Sequence, residues 1–490
     1  MSGFRVQGSK VSRFQGLASP SSARSASVQG SKVSEFKNII MEKRKITRRK
    51  AIVAASAGAL GTMVNWSFTP FTTGSKEQEM LAILGGPKIH EGRWPSWPVW
   101  DESAEKNITA MLRTGRWWRG SGEHVAEFES KYAELMGVKR CLAAASGTTA
   151  LITSLKALGV DAGDEVLVSP FTFIASYNVI FMNKALPVFV DTDPETFLID
   201  PSKIESRITD RTTAIVPVHI YGLPVDMDSV NDVAGKHNLK VVEDACQAWL
   251  AEYKGKKAGS LGDAGCFSFQ NSKNLPAGEG GAIISNNESF MDKCHSLHNC
   301  GRPYGSVART SSYPVAGNNF RMQQIQALIL LSQMNRIQKD ADIRLSNALY
   351  LDEQLRKIPG IVPYKLANGA TRSAYHLYPF RYLKEEFNDT PKERFISALS
   401  AEGIPCSSGY GPQNKDGLIE DQLNSKGYKR LFPESRLKQW REENVLPGND
   451  KLCSEAVIFS QSILLGSRSD MEDIVRAITK IWHNRDSLKA

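Results

Sequence analysis

One stretch of the chain, Leu239–Ser285, contains an aspartate and a lysine whose neighbouring residues favour a catalytic role. Asp244 closes an apolar run that contains Val241 and Val242 and is typical of a buried strand. A carboxylate at the C-terminal end of such a strand faces the crevice where open α/β sheets bind ligands. Lys273 lies in a turn rich in Ser, Asn and Gly, where partial burial would lower its pKa and make the amine nucleophilic. An aspartate and a nucleophilic lysine in one crevice suit a covalently held cofactor.

The same two residue types also occur in ordinary structural roles, as a helix-capping aspartate and a solvated loop lysine. The order of the surrounding motifs favours chemistry, because EDACQA, GSLGDAGCFSF, the lysine and GEGG follow one another. This order closely resembles the DegT/StrS family of sugar aminotransferases, which are fold-type I enzymes that use pyridoxal 5'-phosphate (PLP). The resemblance implies an α/β fold with a mostly parallel central sheet flanked by helices, plus a smaller C-terminal α/β domain.

The resemblance also implies roles for four residues of the central stretch. Asp244 pairs with the cofactor's ring nitrogen, and Lys273 holds the cofactor as the internal aldimine. Gln247 lies near the phenolic oxygen of the cofactor, and Ser268 helps to hold its phosphate. Asp244 and Lys273 are therefore the expected catalytic pair.

The turn at 146–149 and Phe173, which both precede the central stretch, are further predicted ligand positions. The turn at 146–149 opens a helix, and free N–H groups and hydroxyls at a helix N-terminus form an anion site. Serine and threonine are also ordinary helix caps, so this turn alone is a weak signal. The resemblance implies that Thr148 and Thr149 bind the cofactor phosphate and that Phe173 stacks on its ring. A core phenylalanine is the alternative interpretation of Phe173.

A later motif, GNNFRM at 317–322, resembles the GxNxRM element of the same family. In that family the asparagine reaches the PLP phosphate of the neighbouring subunit, a role that would fall to Asn319. The resemblance therefore implies a homodimer with two shared sites.

The expected substrates are an amino donor, glutamate or glutamine, and a keto-sugar or keto-cyclitol acceptor. The arm Leu84–Trp100 resembles the branch that contains keto-inositol aminotransferases and aminohydroxybenzoate synthases. The loop Gly409–Asn414 departs from the histidine that family members often carry there, so the identity of the ketone stays open. The choice of donor and the pathway also stay open.

The hydrophobic pattern predicts the elements that position these residues. The predicted helices include Asp101–Thr114, Val125–Met136, Gln323–Asp342 and Pro391–Glu402. The predicted strands include Arg140–Ala144, Leu186–Val190, Thr213–Val218 and His376–Arg381. The predicted domains are an arm with a large cofactor-binding domain at 80–344 and a small domain at 345–490.

Composition separates the body of the chain from its N-terminal segment. Residues 1–79 hold 13 Lys/Arg and 4 Asp/Glu, and the remaining residues hold 48 of each. The net charge of +9 therefore describes the N-terminal segment and gives no support for a nucleic-acid surface. The seven cysteines show no zinc-ligand spacing, so no metal site is expected.

The N-terminal segment divides into two parts by composition. Residues 1–40 are predicted to be disordered and repeat VQGSKVS, and translation is expected to begin at Met41. Residues 41–79 resemble a twin-arginine export signal, with Arg48-Arg49 before the weakly apolar stretch Ala51–Val64. The expected location is the periplasm or outside the cell, with membrane contact only during export. A basic tail that stays in the cytoplasm is the alternative, and cleavage of the signal stays open.

Two other functions fit parts of the pattern. A PLP-dependent sugar dehydratase shares the scaffold, but such relatives replace the lysine by histidine, and Lys273 argues against this activity. An exported pseudoenzyme that binds PLP or a sugar would retain the cofactor residues without turnover. The complete set of cofactor residues favours an aminotransferase.

Overall fold

The computed structural model describes residues 80–309 and 312–488. The predicted disordered segment 1–40 and the predicted signal 41–79 lie outside these ranges. No helix within the described ranges is both long and apolar enough to cross a bilayer.

The helices and strands of the described residues alternate along the first half of the chain. The α-helices are α1 (Glu102–Thr114), α2 (His124–Met136), α3 (Gly147–Leu158), α4 (Ala175–Met182), α5 (Met227–His237), α6 (Glu288–His298), α7 (Gln324–Leu355), α8 (Lys392–Ala401), α9 (Gly417–Asn424), α10 (Tyr428–Leu431), α11 (Glu434–Glu443), α12 (Pro447–Glu455) and α13 (Arg468–His483). The β-strands are β1 (Arg140–Ala144), β2 (Glu165–Val168), β3 (Leu186–Phe189), β4 (Thr212–Val216), β5 (Lys240–Asp244), β6 (Glu252–Tyr253), β7 (Lys256–Lys257), β8 (Ala264–Ser268), β9 (Gly281–Ser285), β10 (Ile361–Pro363), β11 (Ala370–Arg372), β12 (Leu377–Tyr382), β13 (Ser407–Ser408) and β14 (Ala456–Ser460).

A seven-stranded sheet lies at the centre of the described residues, in the order β1-β9-β8-β5-β4-β2-β3. The strands from β8 to β3 in this order pair in parallel, and β9 runs antiparallel to both β1 and β8. Six of the seven strands therefore point in one direction. The predicted fold class is confirmed, because α3, α4 and α5 each connect two strands of this mostly parallel sheet, whose strands are buried.

The carboxyl ends of the parallel strands bring distant segments together. β2 and β3 are buried at every residue, and β5 is buried from Val241 to Asp244. Val218, just after β4, forms an isolated parallel bridge with Asp244. The loops that leave these strands consequently meet at one edge of the sheet, where open α/β sheets bind ligands.

A second, antiparallel sheet follows in the order β10-β12-β14-β13. The predicted boundary at 344/345 falls inside α7, so the division into two domains stays a prediction. The prediction ended this helix at Asp342, but it continues to Leu355 because Ala348, Leu351 and Leu355 keep a buried face at helical spacing.

Candidate active site

A cavity of about 470 Å³ lies at the carboxyl ends of the parallel strands. Its walls come from the residues that follow β2 and β4, the ends of β5 and β8, and the first turn of α3. Six of the eight predicted site residues line it: Thr148, Phe173, Asp244, Gln247, Ser268 and Lys273. The sheet thus gathers into one cavity the residues that the sequence places in separate motifs.

Asp244 is a buried carboxylate held by donors on both oxygens. Its Oδ2 accepts a hydrogen bond of 2.7 Å from Ser176 Oγ, and its Oδ1 accepts one of 3.2 Å from the backbone N–H of Cys246. The hydroxyls of Thr172 and Ser176 lie 2.7 Å apart. Since Ser176 gives its proton to Asp244, Thr172 donates to Ser176. Both carboxylate oxygens are therefore fixed in position, and the side chain lines the cavity.

Lys273 presents an amine inside the cavity. Burial lowers its pKa below the ordinary value, while Cys246 and Asp244 oppose that shift. The backbone of Lys273 is held by Trp97, whose indole N–H donates to the Lys273 carbonyl at 3.1 Å. The aromatic arm therefore reaches the site and fixes the turn that carries the lysine. A larger neutral fraction at neutral pH makes this amine a better nucleophile than a surface lysine.

His376 is a buried neighbour of the lysine that the sequence did not single out. Its Nε2 lies 3.5 Å from Lys273 Nζ, and its Nδ1 lies 3.4 Å from Asn274 Oδ1. Asn274 Nδ2 donates to the Ala374 carbonyl at 2.9 Å, which turns Oδ1 toward the imidazole. Burial lowers the pKa of His376 well below its ordinary value, so the ring stays neutral. The lysine amine thus faces a ring nitrogen that adds no positive charge.

The first turn of α3 forms one end of the cavity. Gly147 and Thr148 line it, and the N–H groups of a first helical turn have no acceptor within the helix. Thr149 is not among the lining residues, since its hydroxyl donates to the Ser146 carbonyl and accepts from the Ser146 N–H in a capping box. Ser268, at the end of β8, faces the same turn. This end of the cavity suits an anion.

Phe173 and Gln247 lie on the other walls. Phe173 is 53% exposed although it belongs to the cavity, so it is not a core residue. Gln247 accepts a hydrogen bond of 2.7 Å from the Tyr221 N–H through Oε1 and donates one of 3.1 Å to Tyr410 Oη through Nε2. An uncovered aromatic face and a fixed amide are both suited to a planar ligand.

Asn319 is not a lining residue of this cavity. It is exposed, and its side chain makes no hydrogen bond to other residues within the described ranges. Its backbone forms an isolated bridge with Asn299. The predicted role of Asn319 across a dimer interface stays a prediction.

The residues present fit PLP. The Asp244 carboxylate, the buried Lys273 amine, the uncovered Phe173 ring and the helix N-terminus match the cofactor's ring nitrogen, aldehyde, ring face and phosphate in turn. Within residues 80–309 and 312–488, no three His, Cys, Asp or Glu side chains are grouped to hold a metal ion.

Known relatives are similar in sequence over most of the chain. L-glutamine:2-deoxy-scyllo-inosose aminotransferase of Streptoalloteichus tenebrarius is 34% identical over 428 residues, which cover 84% of this chain and 99% of the relative. L-glutamine:scyllo-inosose aminotransferase of Streptomyces griseus is 32% identical over 420 residues, which cover 82% and 98%.

A solved structure and a family model also match this chain. The crystal structure of 3-amino-5-hydroxybenzoic acid synthase superposes with a TM-score of 0.71 at 28% identity and covers 80% of this chain and 99% of its own. Residues 98–458 match the DegT/DnrJ/EryC1/StrS aminotransferase family. The chain therefore belongs to the DegT/DnrJ/EryC1/StrS family and is a PLP-dependent aminotransferase.

Proposed function

We propose that the enzyme transfers an amino group from glutamine to a keto-cyclitol of the inosose type, with glutamate as the alternative donor. The observation that carries the proposal is the cavity that Asp244, Lys273 and Gln247 share, in a chain about a third identical to inosose aminotransferases. The aromatic arm Leu84–Trp100 supports the same branch, since Trp97 fixes the backbone of the lysine.

The roles of the chain's own residues follow from their contacts. Lys273 Nζ would hold the cofactor covalently through its buried amine and, once released, would take up and return a proton. Asp244, held by Ser176, would hold a proton on the ring nitrogen of the bound cofactor. PLP supplies an electron sink when it is bound. The first turn of α3 and Ser268 would hold the phosphate and so would retain the cofactor when the lysine is free.

The test follows the absorbance of the PLP-loaded enzyme. Glutamine should change the spectrum of the cofactor, and 2-deoxy-scyllo-inosose or scyllo-inosose should restore it, with an amino-cyclitol detected by mass spectrometry. A spectrum that responds to neither glutamine nor glutamate would indicate a cofactor-binding pseudoenzyme. A response to the donor without recovery by either inosose would assign the enzyme to another ketone.

The proposed enzyme is a homodimer. The support is the GNNFRM element and the exposure of Asn319, whose side chain is open to a second chain. Sedimentation of the purified protein at micromolar concentration tests this proposal, and a monomer that turns over at the normal rate would exclude shared sites.

We also propose that residues 41–79 direct export through the twin-arginine route. The support is Arg48-Arg49 followed by the weakly apolar stretch Ala51–Val64. Replacement of both arginines by lysine should leave the protein in the cytoplasmic fraction. An unchanged distribution between fractions would favour the cytoplasmic alternative.

A further inference from the structure

We infer that Tyr410 is a specificity residue whose hydroxyl donates a hydrogen bond to an oxygen of the cyclitol acceptor. This inference rests on the proposed function. Tyr410 lies in the loop at 409–414, and it lines the same cavity as Lys273.

The direction of the Tyr410 proton follows from the neighbouring amide. The Tyr221 N–H fixes Gln247 Oε1 at 2.7 Å, so Gln247 Nε2 must face Tyr410 and donate to its oxygen at 3.1 Å. Burial raises the pKa of Tyr410, so the phenol keeps its own proton. No acceptor for that proton lies within hydrogen-bond distance among the described residues, and the ring borders the cavity. The O–H is therefore available to a ligand.

The ring that carries this hydroxyl is rigidly placed. It stacks on Tyr221 with centroids 5.5 Å apart and meets the edge of Phe171 at 5.9 Å. The Tyr410 N–H donates to Tyr221 Oη at 3.2 Å. At Gly409 a Cβ would lie 2.7 Å from the Ala456 Cβ, so glycine lets the loop come this close to β14. A donor fixed before the ligand arrives can select among ligands.

The charge around Tyr410 favours a neutral polyol over the amino-acid donor. Asp244 is close enough to raise the pKa of Tyr410, and Gln247 is uncharged. The group hydrogen-bonded to the Tyr410 hydroxyl is a neutral amide, so a donor carboxylate would find no ion-pair partner in that contact, whereas a ring hydroxyl or a keto oxygen needs none. A site built to hydrogen-bond a substrate oxygen also rejects analogues that lack it.

The test compares Tyr410→Phe with the wild type in the PLP-loaded enzyme. Phenylalanine retains the stacking on Tyr221 and removes only the hydroxyl. The half-reaction with glutamine should stay within about twofold, while kcat/KM for 2-deoxy-scyllo-inosose should fall about tenfold, as expected for one lost hydrogen bond. Binding of scyllo-inositol, which has ring hydroxyls but no ketone, should weaken by a similar factor in isothermal titration calorimetry.

Tyr428→Phe is the matched control, because Tyr428 is a buried tyrosine whose hydroxyl donates to the Ala185 carbonyl at 2.7 Å and does not border the cavity. It should change neither half-reaction. Unchanged amination and unchanged scyllo-inositol binding in Tyr410→Phe would overturn the inference, as would an equal loss in both half-reactions, which would show a role through Gln247. A wild-type enzyme that aminates neither inosose would overturn the proposed function, and this inference with it, before any variant is made.

Discussion

At the scale of single residues, Lys273 provides the amine of the cavity, and burial lowers its pKa. Lys273→Ala removes the nucleophile, so transamination should fall by on the order of 10³-fold or more. The free energy of unfolding should change little, because Lys273 is half-buried and forms no ion pair within the described ranges. Borohydride reduction followed by peptide mass spectrometry should attach the cofactor to wild-type Lys273 and to no residue of the variant.

Lys256→Ala supplies the control, since Lys256 is an exposed lysine of the same long stretch. That variant should retain wild-type turnover. Because burial lowers the pKa of Lys273, an amine-reactive reagent at pH 7–8 should modify Lys273 of the cofactor-free enzyme faster than Lys256. Full turnover by Lys273→Ala would remove the lysine from the mechanism.

Asp244 acts through its charge, and the asparagine variant isolates that charge. Asp244→Asn preserves the shape and still accepts from Ser176, but it no longer stabilises a proton on the cofactor's ring nitrogen. A lost opposite charge shifts a neighbouring pKa by about one to three units, so turnover should fall about 10- to 1000-fold while PLP stays bound. Two measurements on one sample check this prediction: the absorbance of the bound cofactor and the rate of turnover. Ser176→Ala is the control, because it retains the carboxylate and should lose less activity than Asp244→Asn. Wild-type turnover in Asp244→Asn would show that another group holds the proton on the cofactor's ring nitrogen.

At the scale of elements, the anion end of the cavity depends on close packing between α3 and two strands. At Gly147 a Cβ would lie 2.7 Å from both Cys246 Sγ and Ser268 Cβ. At Gly281, the first residue of β9, a Cβ would collide with the backbone carbonyl of Ser146. These glycines let the first turn of α3 lie directly on the sheet, which fixes where its free N–H groups are.

Gly281→Ala should therefore displace the first turn of α3. If the displaced turn loses one hydrogen bond to the phosphate, PLP affinity should fall at least about tenfold. Fluorescence titration of the cofactor-free enzyme measures this affinity. Gly235→Ala in α5 is the control, because a Cβ there meets no atom within 4 Å. An unchanged PLP affinity in Gly281→Ala would show that the phosphate does not bind at this helix.

At the scale of the whole molecule, the sequence predicted what local patterns encode. β1 was predicted at Arg140–Ala144 and has those bounds, since its apolar run ends at a turn. Asp244 and Lys273 could be paired because their motifs belong to one stretch. The sequence did not identify the partners of these residues, since Ser176 is 68 residues from Asp244 and His376 is 103 residues from Lys273. Such contacts depend on how the sheet and its loops assemble, which hydrophobic periodicity does not specify.

The proposed assembly of two chains with shared sites depends on Asn319. If Asn319 binds the partner's phosphate, an aspartate there would place a negative charge beside that phosphate and inactivate the partner's site. Inactive Lys273→Ala chains mixed with inactive Asn319→Asp chains should then recover about a quarter of wild-type activity. Half of the dimers are mixed, and in each of them one site combines an intact lysine with an intact asparagine.

The matched control mixes Lys273→Ala chains with Asp244→Asn chains. Lys273 and Asp244 line one cavity of the same chain, so every site in that mixture carries one of the two defects and no recovery is expected. Recovery in the first mixture alone would therefore come from a residue exchanged between chains, and subunit exchange is verified by mass spectrometry of differently tagged chains. If the Asn319→Asp mixture stays as inactive as the control after verified exchange, Asn319 does not complete the neighbour's site, and each chain binds its cofactor with its own residues.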